Sequence, residues 1–90
     1  LTDTAAVRQR LDKWLWHARM VRNRSDAAKL VEAGHVRVNG KRVTALAYAL
    51  RSGDVVTLAL DRSVRVIEVT GFSERRGPAE AGKALYRRMS

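Results

Sequence analysis

The sequence predicts an α+β domain: two N-terminal helices packed on a small, mostly antiparallel sheet, followed by a C-terminal helix. Three observations carry this. Leu11, Trp14, Leu15, Ala18 and Val21 recur at helical spacing and make one apolar stripe. From His35 onward the pattern changes to alternation, in His35–Val38, Val55–Leu60 and Val64–Thr70. Ninety residues bury only about 60% of their unfolded surface, so two short helices need the sheet as the second layer of one core.

Residues 1–9 are weakly patterned and are expected to fray or to extend the first helix. That helix spans Leu11–Val21, with Asp12 near its start. Arg22-Asn23-Arg24 links it to a second helix, for which Ser25 is the predicted N-cap and Asp26 a first-turn carboxylate suited to the dipole. The second helix runs to about Ala33 with Ala27, Leu30 and Val31 apolar, and Gly34 is placed for a left-handed C-terminal cap. Asn39-Gly40 signals a hairpin, because both central residues of that turn need positive φ. Lys41–Val43 returns as a short strand. Thr44–Leu50 is apolar and Ala-rich, and fits either an irregular crossing or a helical turn. Ser52-Gly53-Asp54 and Asp61-Arg62-Ser63 are turns. Gly71–Gly77 is a loop, and Pro78 suits the first position of a last helix that carries Ala81, Leu85 and Met89 inward and ends at Arg87-Arg88. The organisation is an N-terminal segment over 1–9, one folded unit over 10–70, and a loop with a helix over 71–90.

Eighteen Lys and Arg against nine Asp and Glu give a formal net charge of +9, a field that draws in polyanions. The excess is uneven: Arg8–Arg42 holds ten basic and three acidic residues, Val43–Ser90 eight and five. The binding face therefore belongs to the N-terminal half. There is no cysteine, which removes disulfides and thiolate zinc and fits a reducing cytoplasm. Apolar runs such as Ala45–Leu50 are too short to span a membrane. Neither a P-loop nor a dinucleotide fingerprint occurs. The two histidines, His17 and His35, have no carboxylate or thiolate cluster beside them to complete a metal site. Asp12, Asp26, Glu32 and Asp54 fall at capping, turn or exposed helix positions, with no obvious pairing for acid–base work. The expectation is a binding module, not an enzyme, without cofactor, metal or membrane.

The candidate contacts are basic. Arg22 and Arg24 flank a helix start whose unpaired N–H groups favour an anion, and two guanidiniums there make a forked phosphate site. Arg10, Lys13 and His17 share one flank of the first helix. Arg19 lies on its far side, with Trp16 between the polar flanks. Lys29 follows on the second helix, Arg37 points away from the face that buries Val36 and Val38, and Lys41 and Arg42 follow the turn. With the helices packed on the sheet, these groups form one continuous basic track, although any single member could be an ordinary snorkelling surface residue. Trp14 belongs to the core. Trp16 either stacks on an unpaired base or packs under the C-terminal helix, and the packing role is preferred.

Taken in order, Arg10-Leu11-Asp12-Lys13-Trp14-Leu15, Arg19, Arg24-Ser25, Gly34-His35-Val36-Arg37-Val38-Asn39-Gly40 and Gly53-Asp54 resemble the S4 RNA-binding domain, over about Arg10–Leu60. Trp14-Leu15-Trp16, Glu74-Arg75-Arg76-Gly77-Pro78-Ala79 and Ala84-Leu85-Tyr86 are similar to the stand-alone, ribosome-associated branch of that superfamily, the fifteen-kilodalton heat-shock protein family of bacteria. With that tail the resemblance reaches Arg88. It implies a two-helix alpha-L motif on a small sheet, with RNA held against the helices and their link. It implies contacts from Arg10, Lys13, Arg22, Arg24, Ser25, Arg37 and Lys41, with Asp12, Asn39 and Gly40 shaping the site. It also implies a charged extension beyond Ser90. The partner it implies is rRNA of free large ribosomal subunits that still carry a peptidyl-tRNA, in a stress-response recycling role.

Two rival readings stand beside this one. Similar domains precede the catalytic part of larger RNA-modifying enzymes such as pseudouridine synthases. A helix-turn-helix DNA binder has a comparably short link, but the basic residues here concentrate on the first helix and the link rather than on a second, recognition helix. Weak DNA binding follows from charge alone. Nothing in the sequence points to more than a monomer.

Overall fold

A computed structural model of the chain describes residues 8–74 and 77–89. In chain order the elements are β1 (Arg8–Arg10), α1 (Leu11–His17), α2 (Arg24–Glu32), β2 (Val36–Val38), β3 (Lys41–Arg42), β4 (Ala49–Arg51), β5 (Val55–Ala59), β6 (Val64–Val69), α3 (Ala79–Lys83) and β7 (Tyr86–Arg88). Five strands form an antiparallel sheet of order β3-β2-β5-β6-β7, and β1 pairs with β4 in a separate antiparallel ribbon. The α+β class is as the sequence predicts. Leu11, Trp14, Leu15 and Ala18 of the first helical turn-run, Ala27 and Val31 of α2, and Val36, Val38, Val56, Leu58, Ile67 and Val69 of the sheet make one buried cluster. The helices thus cover one face of the sheet, and the alternate residues of each strand turn to the other face.

The two helices stop in the same way. At the end of α2, Gly34 takes φ +83°, its N–H bonds to Val31 O at 3.0 Å and the His35 N–H to Leu30 O at 3.1 Å. That is the paired hydrogen-bond pattern of a Schellman cap. At the end of α1, Arg19 takes φ +61°, its N–H bonds to Trp16 O at 3.1 Å and the Met20 N–H to Leu15 O at 3.0 Å. An arginine therefore occupies the left-handed position, α1 ends at His17 rather than Val21, and Val21 joins the core edge from the link.

The start of α1 explains the Thr44–Leu50 crossing. The N-terminal residue of α1 has no side-chain cap; instead Leu11 N–H bonds to Tyr48 O at 2.8 Å and Asp12 N–H to Leu46 O at 3.3 Å. The crossing loop supplies the carbonyls that a cap residue would otherwise supply. It then enters β4, whose Leu50 is fully buried opposite Gln9 of β1. Of the weakly patterned 1–9 segment, Arg8 and Gln9 are strand rather than helix extension, and residues 1–7 lie outside the described residues.

The predicted last helix is corrected. Only Ala79–Lys83 is helical, with Pro78 as its N-cap, and the chain then returns as β7 against β6. Leu85 is buried as expected, but Ala81 is exposed and Met89 is 51% exposed. Gly82 explains the position of α3. A Cβ there would lie 3.1 Å from His17 O and from Arg19 Cγ, so α3 sits directly on the end of α1.

Candidate nucleic-acid interface

Asp12 organises the site. It is buried at 4% exposure, and its carboxylate draws together guanidiniums from two elements. Arg10, the last residue of β1, donates Nε to Oδ1 at 3.1 Å and Nη2 to Oδ2 at 3.2 Å. Arg24, the first residue of α2, places Nε 3.5 Å from Oδ2. The Lys13 N–H donates to Oδ1 at 2.8 Å, which fixes the carboxylate itself. The two arginine side chains remain 48% and 44% exposed. Each guanidinium keeps further N–H donors for an outside acceptor, in the planar fork that suits a phosphate.

The start of α2 continues this surface. Asn23, not Ser25, is the N-cap: its Oδ1 accepts from the Asp26 N–H at 2.8 Å. Ser25 donates its hydroxyl to the same oxygen at 2.7 Å and so holds the cap in place. Arg22, Arg24 and Ser25 are exposed around this turn, Lys13 is half-buried on α1 and Lys29 is exposed further along α2. Lys41 shares a register position, and hence a face, with the core residue Val38. It therefore lies on the helix side at the sheet edge.

Asn39 and Gly40 shape the hairpin as expected. Their φ values of +52° and +84° are those of a two-residue turn with both centres left-handed. Asn39 also accepts the Val55 N–H at 2.9 Å and donates to Asp54 Oδ1 at 3.1 Å. Asp54 in turn accepts the Arg51 N–H at 2.9 Å. The hairpin tip is thereby tied to the turn before β5.

Two residues predicted as contacts have partners within the fold. His17 is 2% exposed and its Nδ1 lies 2.9 Å from Ser73 O. A carbonyl only accepts, so Nδ1 carries the proton. Gln9 Nε2 donates to the same carbonyl at 2.6 Å, and Trp14 Nε1 donates to Gly71 O at 3.0 Å. These three side chains lace the 71–73 segment to β1 and α1. Helical spacing alone put His17 on the exposed flank, but that segment covers it. Arg19 is exposed, yet it donates Nη2 to Gly77 O at 2.6 Å and packs on Gly82, which makes it a clasp for the C-terminal segment. Trp16 is half-buried, with its ring centre 5.4 Å from that of His17.

The continuous track is also divided. Arg37 alternates with buried Val36 and Val38, and its register partner is Arg42. Both therefore face away from the helices. An open depression of about 860 Å³ beside α2 is lined by Val21, Leu30 and Leu60 together with Asp26, His35, Asp61 and Arg62. Among the described residues no cluster of three metal-ligating side chains occurs, and no helix is long and apolar enough to cross a membrane.

The S4 domain family model matches residues 9–56, the span from β1 through the hairpin to β5. Over 96% of this chain, heat shock protein 15 of Escherichia coli K12 is 34% identical; the chain spans 64% of that relative's length. The small ribosomal subunit protein uS4 of Paracoccus denitrificans is 39% identical over 80% of this chain and 36% of its own. The solved trimeric structure of Vibrio cholerae heat shock protein 15 superposes with a TM-score of 0.85 at 35% identity, over 92% of this chain and 83% of that one. On these findings the chain belongs to the S4 domain family, in the branch that includes the heat shock protein 15 proteins.

Proposed function

We propose that this chain is a binding module for structured RNA, and that its target is rRNA of free large ribosomal subunits still carrying a peptidyl-tRNA. One observation carries the RNA reading: the buried Asp12 carboxylate holds Arg10 and Arg24, from two different elements, as one outward-facing fork. A double-helical RNA hides its major-groove edges, so such a fork reads backbone geometry. Lys13, Arg22, Ser25, Lys29 and Lys41 supply the remaining contacts on the same side. Membership of the S4 domain family and the heat shock protein 15 relatives support this reading.

A second reading takes its support from the uS4 relatives: a preference for the small subunit. Co-sedimentation with separated large and small subunits, at two salt concentrations, distinguishes the two. Selective, salt-sensitive binding to the large subunit is expected, with a slope of about 0.7–0.9 in log K per phosphate contact. Equal binding to both particles would reduce the function to general RNA binding, and preference for small subunits would replace the target. Arg24→Ala is expected to weaken binding with an unchanged circular dichroism spectrum. Competition by duplex DNA should be weak. The reading takes the chain as a cytoplasmic, non-enzymatic monomer, whereas the Vibrio cholerae relative is described as trimeric; sedimentation velocity decides the oligomeric state.

A further inference from the structure

We propose that the outer face of the sheet carries a second anion site, formed by Arg37, Arg42 and Thr57, which holds a backbone phosphate of an RNA segment other than the one gripped at the helices. The proposal rests on the RNA-binding reading above and adds a bridging role to it. Arg37 stands directly opposite Arg42 on β3 and opposite Thr57 on β5. Like charges placed in register across two strands repel. The same face shows the usual arrangement elsewhere, where Arg87 of β7 stands in register with Glu68 of β6 and pairs with it.

Among the described residues no carboxylate pairs with Arg37 or Arg42. The side-chain ion pairs among the described residues are Arg10–Asp12, Arg24–Asp12, Lys83–Glu80 and Arg87–Glu68. The two arginines line a shallow pocket of about 190 Å³ with Gly34, His35, Thr57 and Ala59, and among the described residues no carboxylate borders it. Gly34 allows this shape. A Cβ there would lie 3.3 Å from Arg42 Cδ, so its absence lets the Arg42 stem lie along the backbone at the pocket wall. Two guanidinium forks and a hydroxyl around an open, acid-free pocket suit one tetrahedral phosphate.

The location decides what the phosphate belongs to. Arg37 lies on the sheet face turned away from the buried Val36 and Val38, whereas the Asp12 fork stands at the helices, so the phosphate is assigned to a second RNA segment. Exposed arginines in a shallow pocket fit a backbone phosphate approaching from solvent. Occupied at both faces, the domain ties two RNA segments together.

Isothermal titration of the whole chain with a short RNA duplex, at about 0.1 M salt, tests this directly. The expected result is two duplexes per chain. Arg37→Gln with Arg42→Gln should leave one, and Lys13→Gln with Arg22→Gln should leave the other. Arg37→Lys with Arg42→Lys keeps the charge but loses the forks, and should weaken the second event about tenfold. Saturation of the unaltered chain at one duplex overturns the proposal, as does a second event that ignores the Arg37 and Arg42 changes. Displacement of the pocket's amide signals by inorganic phosphate with no second duplex bound also overturns it. In these cases loss of the single event in the Lys13/Arg22 variant leaves the helix-face reading standing; absence of any duplex binding removes both.

Discussion

Asp12→Asn separates two accounts of why this surface binds RNA. The substitution is isosteric and raises the net charge by one from +9. If binding follows the overall field alone, affinity should rise. If Asp12 acts by holding the Arg10 and Arg24 forks, affinity should fall despite the added charge. Removing one member of a fully buried pair costs about 3–5 kcal/mol, because the partner is left charged without water. Here the partners are 48% and 44% exposed and rehydrate, so the stability loss is about 1–2 kcal/mol. For a chain of this size that lowers Tm by about 4–8 °C per kcal/mol. The lost orientation of two forks is worth about 1 kcal/mol in binding, roughly fivefold in Kd. Fluorescence anisotropy with an RNA hairpin, alongside urea unfolding, measures both. Glu32→Gln makes the same charge change on exposed surface of α2 and should bind slightly more tightly. An Asp12→Asn variant that behaves like Glu32→Gln refutes the fork argument.

Other positions give sharper tests of the scaffold. Asn39→Ala removes the acceptor for the Val55 N–H and places a Cβ residue without local hydrogen bonding at φ +52°; a loss of about 2 kcal/mol in urea unfolding is expected, and Asn39→Gly should lose less. Gly82→Ala gains helix propensity of about 1 kcal/mol, but its Cβ would press on the backbone carbonyl of His17 at 3.1 Å. Net destabilisation, with faster amide exchange at β7, is the expected outcome, and a stabilised variant would show that α3 moves freely. Trp14→Phe leaves Gly71 O without its donor and opens space in the core; a loss of about 2–3 kcal/mol is expected in thermal melts followed through Trp16.

The stops of the two helices show what a sequence reveals about its fold. Both use the same pair of hydrogen bonds around a left-handed residue. Gly34 announces one, because glycine takes that conformation without a Cβ penalty. Arg19 conceals the other, since a non-glycine residue there costs free energy that only tertiary contacts can offset. Those contacts, Gly77 O and Gly82, come from residues about sixty positions away. The same distance hides His17, whose exposure depends on Ser73. It also hides the cap of α1, which is made by backbone carbonyls of Leu46 and Tyr48 and leaves no residue signature. The β7 return is obscured for a related reason. Tyr86-Arg87-Arg88 has no apolar alternation of its own and becomes a strand by pairing with β6.

The candidate site was readable to the extent that it depends on local pattern. Arg22, Arg24 and Ser25 could be placed at a helix start from sequence, and Asn39-Gly40 at a hairpin tip. Pattern also contained the information that divides the basic track, because strand parity alone sends Arg37 away from Val36 and Val38. What parity could not supply is the partner of Arg37. Pairing Arg37 with Arg42 follows from the two-residue turn: with Asn39 and Gly40 at its centre, Val38 must face Lys41 and Arg37 must face Arg42. A one-residue change of register would put Lys41 on the outer face and Arg42 on the helix side. The hairpin turn thus assigns each cation to a face. Lys41 goes with the Asp12 fork on the helix side, and Arg42 goes with Arg37 behind the sheet. Lengthening the turn by one residue should therefore redistribute the basic groups between the two faces while leaving the net charge unchanged.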